Sequence, residues 1–147
     1  MPTKTFDAQD ALMAALTALK ATTLTGWTVD FGLPPRRDER HLWVDEQITE
    51  WVCEDLTTGL QSTQETFKLH AYVYVKKSGA TALEVRDEVK TGGGAVESVL
   101  SSDPLLGGVV MLAQIVGGDV DSAFADPEGR AREVVEHLII ECSTFIG

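Results

Sequence analysis

Two stretches of strict alternation constrain this chain more than any other feature. From Glu65 to Lys77, Phe67, Leu69, Ala71, Val73 and Val75 alternate with Lys68, His70, Tyr72, Tyr74 and Lys76. A period of two belongs to a β-strand, because successive side chains leave a strand on opposite faces. The second face of this strand is amphipathic and suits partial cover. From Ala131 to Ile146 the alternation returns. Val134, Leu138, Ile140 and Cys142 share one side with Glu136, and Val135, His137, Ile139, Glu141 and Phe145 share the other. Arg132, Glu133 and Glu136 would also suit a helix over the first half. The β-branched Val134, Val135, Ile139 and Ile140 favour a strand.

The rest of the chain arranges itself around these two runs. Asp7 to Ala21 predicts a helix, with Asp7 placed to cap its first turn. Its apolar face carries Ala8, Ala11, Leu12, Ala15, Leu16 and Leu19, and its polar face Gln9, Thr17 and Lys20. Trp27 to Leu33 alternates like a half-buried strand and stops at Pro34-Pro35, which cannot donate to a ladder. His41 to Val44 and Ile48 to Leu56 predict two more strands. The latter has mixed faces, as expected of an edge or of a surface facing a subunit neighbour. Thr81 to Ser101 predicts a second helix. Gly92, Gly93 and Gly94 interrupt it, each costing about 1 kcal/mol against alanine, and a kink or looped-out turn is expected there. Val109 to Val116 reads as a strand and Gly117 to Pro127 as a loop. The expected class is α+β: an antiparallel sheet with mixed edges and two helices packed on one face, in the order α-β-β-β-α-β-β.

With 147 residues, one domain is expected, spanning 1–147. A 44% hydrophobic fraction is enough to build a core and excludes wholesale disorder. Twenty-three acidic against twelve basic side chains give a formal net charge of -11. That surface repels phosphate backbones and anionic membranes. No apolar run approaches the ~20 residues of a membrane span, and Met1 to Phe6 lacks the pattern of a signal peptide. Cys53 and Cys142 share no short spacing, so both read as reduced residues in strands and imply a cytosolic origin.

Catalytic and ligand-binding motifs are not found. His41, His70 and His137 lie far apart, and a metal site needs several such ligands to converge. The three glycines are followed by Ala95, Val96 and Glu97 rather than the lysine and hydroxyl residue of a phosphate cradle. Asp119, Asp121 and Asp126 lack the fixed spacing of a calcium loop. The pair Glu50 and Glu54 could do acid–base work in principle, but nothing marks a raised pKa. No cofactor or metal is expected, and an enzyme is not.

The order of the segments carries a resemblance. The leading amphipathic helix, His41-Leu42-Trp43-Val44, the strand opened by Gln64-Glu65-Thr66-Phe67 and closed by Lys76-Lys77, and the stretch Leu100-Ser101-Ser102-Asp103-Pro104-Leu105-Leu106-Gly107-Gly108 before a long C-terminal strand together resemble the tail terminator proteins of long, non-contractile-tailed bacteriophages. The Gly92–Gly94 insert departs from that pattern. The resemblance implies a ring, a hexamer as a rule, on the head-proximal end of the tail tube. Such a ring ends tube polymerisation and joins the tail to the head connector. The implied partners are further copies of the chain, the tail tube protein and a head-side connector or stopper protein, with DNA passing through the lumen without specific binding and no membrane partner. The implied location is the virion's head–tail interface, after assembly in the host cytoplasm. A head-side completion or stopper protein of the phage neck is the alternative. Interface candidates are Arg36, Arg37 and Arg40 in the densest basic cluster, and Glu50, Trp51 and Glu54 on the mixed strand. The 57–64 connection and the 117–127 loop are further candidates. Trp27, Trp43 and Trp51 are expected mainly in the core, with an anchor for a subunit contact as the alternative for one of them.

Overall fold

The computed structural model describes residues 4–55, 63–124 and 127–146. Helix α1 spans Thr5–Ala18 and tightens into a 3-10 turn at Leu19–Ala21. Strands β1 (Thr28–Phe31), β2 (Arg40–Val44), β3 (Thr49–Asp55) and β4 (Thr63–Ser78) follow. Helix α2 (Ala82–Ser102) leads into β5 (Leu112–Phe124) and β6 (Ala131–Ile146). The α+β class stands, with four strands between the helices where the expected order had three. No helix among the described residues is long and apolar enough to cross a membrane.

One sheet runs in the order β1-β2-β4-β6-β5, and β3 lies beside the first half of β4. The two alternating runs are its spine: β4 and β6 pair antiparallel from Thr63 against Ile146 to Ser78 against Ala131. The pairing between β1 and β2, at one edge of the sheet, is parallel, as mixed edges on an antiparallel sheet allow. Pro34 and Pro35 supply no N–H for a tight return. The chain instead loops back through residues 32–39 and enters β2 beside β1 in the same direction.

Both helices cover one face. Phe67, Leu69, Ala71, Val73 and Val75 of β4 meet Leu12 and Leu16 of α1 and Val85, Val89 and Val96 of α2 in the core. Helix α1 starts earlier than expected, and Asp7 is not its cap. Lys4 holds that position, and its N–H donates to Glu65 Oε1 at 2.9 Å. A buried carboxylate thus meets the positive end of the helix dipole. Gln9, assigned to the polar face, is buried, because its Nε2 donates to the carbonyls of Asp45 and Glu46.

Helix α2 opens on a capping box. Thr81 Oγ1 accepts from the Glu84 N–H at 3.2 Å, while Glu84 Oε1 accepts from the Thr81 N–H at 3.4 Å. The kink expected at Gly92–Gly94 does not occur; the helix passes through all three. A β-carbon on Gly92 would overlap Val73 Cγ1 and stand 2.8 Å from the Trp27 ring, and one on Gly93 would overlap Glu136 Oε1. These glycines bring α2 close to the sheet rather than breaking it.

Strand β5 also departs from expectation. It begins at Leu112, not Val109, and continues through the stretch assigned to a loop as far as Phe124. Its ladder with β6 shifts register between Ile115 and Gly117. Residues 57–62 of the candidate 57–64 connection lie outside the described residues, as do 125 and 126 of the candidate 117–127 loop.

Candidate functional site

The face of the sheet away from the helices carries an ordered aromatic row. Asp30, Trp43, Tyr72, His137 and Asp119 stand in register across five strands. The Trp43 and Tyr72 rings stack at 5.2 Å, and Tyr72 stacks on His137 at 4.5 Å. The link between β1 and β2 folds over one end of this row. Arg37 places its guanidinium 5.6 Å from the Trp43 ring and 5.3 Å from that of Tyr74, an attraction between cation and ring face. The Asp38 N–H donates to His41 Nδ1 at 2.9 Å. That leaves the ring proton on Nε2, which donates to Asp30 Oδ2 at 2.7 Å. Tyr74 donates to Glu133 Oε2 at 2.8 Å; burial, then this hydrogen bond, pushes the phenol up to about 12.

His70 and His137 meet on the same face, Nδ1 to Nε2, at 2.7 Å, and Thr49 Oγ1 bonds the far nitrogen of His70. Burial first, then the neighbouring His137, holds the His70 pKa below the ordinary histidine value. The two imidazoles already satisfy one another. Among the described residues, no three His, Cys, Asp or Glu side chains converge as a metal-binding group. Cysteines Cys53 and Cys142 are both free. Cys53 is exposed, and burial pushes the Cys142 thiol up to about 12.

All six interface candidates fall on the β1–β3 side of β4, though they do not converge. Arg36 is exposed, whereas Arg37 is committed to the aromatic row and Arg40 to Glu88 of α2 at 2.9 Å. Glu50 pairs with Lys68 at the bulge in β3, where its φ is +50°. Trp51 is 56% exposed, not a core residue as expected, although its Nε1 donates to Glu65 Oε2 at 2.7 Å. Trp27 and Trp43 are buried, but only Trp27 lies under the helices; Trp43 belongs to the opposite face. Glu54 is exposed on the same strand as Glu50.

The sheet's two margins are open and unlike. On one, Phe31 and Leu33 project at the end of β1, and Trp51 and Val52 from β3. The other is β5, which among the described residues pairs as a strand with β6 alone and exposes Leu112, Val116, Val120 and Phe124. Beside β5, on the helix side, lies a groove of about 600 Å³ lined by Glu97, Leu100, Pro104, Leu112, Ala113 and Ile115. It exists because the last turns of α2 cover the sheet only as far as the start of β5. Sequence reading missed this groove and the histidine pair, since both depend on which strands become neighbours. The one available signal was that His70 and His137 each fall on the amphipathic phase of an alternating run.

Among the described residues, apolar side chains thus stand exposed along both margins of the sheet. No protein-family model matches the chain, and no curated protein does. Among solved structures, it is similar to a chain from a virion of a native gene transfer agent (GTA) particle, at 14% identity, covering 94% of this chain and 90% of that one, with a TM-score of 0.39. That likeness is too distant to define either fold or function.

Proposed function

We propose that the chain is a non-catalytic virion structural protein that assembles into a ring, a hexamer on the pattern of the resemblance, at the head-proximal end of a phage tail tube. There it ends tube polymerisation and joins the tail to the head connector. The observation that carries this reading is the pair of unlike open margins, β5 on one side and β1 with β3 on the other. A ring closes through heterologous contacts, in which one surface of each subunit meets a different surface of the next. Two complementary apolar margins on opposite sides of one sheet supply that arrangement. They also need cover, because an exposed hydrophobic edge strand otherwise aggregates.

Arg36, Arg37, Arg40, Glu50, Trp51 and Glu54 then belong to the contact with a neighbouring subunit or an adjoining ring. Several copies at -11 each make an acidic ring that lets DNA slide through rather than adhere. A head-side completion or stopper protein would use the same margins in the same way, and tail tubes separate the two readings. Light-scattering mass and negative-stain microscopy, with and without isolated tail tubes, make the test. Rings capping one end of the tube are expected. Rings that ignore tubes point to the head-side protein, and a monomer that leaves tube ends bare overturns the ring.

A further inference from the structure

The ring reading leaves open which surfaces meet, and the sheet itself suggests an answer. Residues paired across a sheet share a face. Phe31 stands in register with Val44, Ala71, Leu138 and Gly118. Val44, Ala71 and Leu138 are core residues under the helices, so Phe31 lies on the helix side of its margin. The groove beside β5 is also on the helix side, because α2 forms one wall. Its lining residue Ile115 sits next to the bulge that precedes Gly118. Knob and groove thus lie on opposite margins and on the same side of the sheet, with Ile115, paired to Ile140, two positions along β6 from the level of Phe31.

Their chemistry also matches. Phe31 is 52% and Leu33 58% exposed, and the groove offers Leu100, Pro104, Leu112 and Ile115. Three residues beyond Leu33 stands the exposed Arg36, and the groove carries Glu97 on its rim. Neither forms an ion pair with another described residue. Glu97 also sits near Glu136, whose carboxyl is raised above the usual range by burial and then by the Glu97 charge. An arriving guanidinium would relieve that repulsion. A stable contact needs about 800 Å² per partner, more than two side chains supply, so Val116, Val120 and Phe124 come under cover with the groove.

Building on the ring reading, we infer that Phe31 and Leu33 of one copy seat in the groove between α2 and β5 of a second copy, with Arg36 reaching Glu97. This one heterologous contact, repeated, closes the ring. All these side chains but the groove's inner wall are exposed, so substituting them spares the core. In a Cys53→Ser background, the double variant Leu33→Cys, Leu112→Cys should give a covalent ladder ending at the ring size on mild oxidation. Each single variant alone should give none, while a mixture of the two stops at dimers. Arg36→Glu and Glu97→Arg should each lose rings, and the two together should restore them. Rings that persist in both charge variants while the cysteine pair fails to link overturn this contact and leave the ring reading intact. Cross-linking of the groove position to a tube or connector protein instead assigns the groove to that protein and also overturns it. A wild-type chain that never oligomerises, with or without tubes, overturns both.

Discussion

At Gly92 the difference between a hydrogen and a methyl decides how close α2 can lie to the sheet. Alanine there would gain about 1 kcal/mol of helix propensity, but the added methyl meets Val73 and Trp27, both held in the core. Overpacking of this kind costs about 1–3 kcal/mol, so Gly92→Ala should lower stability on balance. Gly94 faces open space. Gly94→Ala should raise stability by about 0.5–1 kcal/mol, and urea denaturation of the two variants gives the opposite signs to compare. Beneath the neighbouring Gly93, Glu136 Oε1 is buried without a hydrogen-bond partner among the described residues. Its folded pKa is raised, so between the ordinary carboxyl value and the raised one the folded state is the stronger proton binder. Its contribution to stability is therefore lost as pH rises through that window and regained as pH falls. Glu136→Gln should match the wild type below the window and exceed it above, in denaturation curves taken across pH.

Among the elements, the ones with the plainest period were the ones the sequence revealed. Ala131–Ile146 is a strand over the span its alternation marks, and the helix reading of its first half fails because β-branched residues pack well on a pleated surface. Strand β5 was obscured by glycines. Gly117 and Gly118 look like punctuation, yet they sit in the ladder because a side chain at Gly118 would run into the His137 carbonyl. The parallel pairing of β1 with β2 was equally hidden, since periodicity assigns faces and says nothing of neighbours. The same limit kept the groove and the His70–His137 contact out of reach. Local signals did fix the start of α2: Thr81→Ala, which removes the hydroxyl that accepts from the Glu84 N–H and leaves the backbone half of the capping box, should cost about 1 kcal/mol, readable as a lower midpoint in thermal or urea unfolding.

For the molecule as a whole, charge is the dominant long-range property. A chain at -11 should not retain duplex DNA in a gel-shift experiment, and lowering the salt, which strengthens ordinary phosphate binding, should create no band. Retention that grows as salt falls would reveal a basic surface which the overall charge conceals.

The position of β6 bears on timing. It lies between β4 and β5 in the sheet although it follows both in the chain. A ribosome therefore releases β5 before the strand that supplies its ladder exists, and the wall against which α2 frames the groove is held in the sheet only once β6 has joined it. An unfinished copy has no docking surface to offer. On the reading proposed above, a growing tail is stopped only by subunits whose synthesis has passed β6, so the stop signal doubles as a check that the sheet of each subunit has closed over β5.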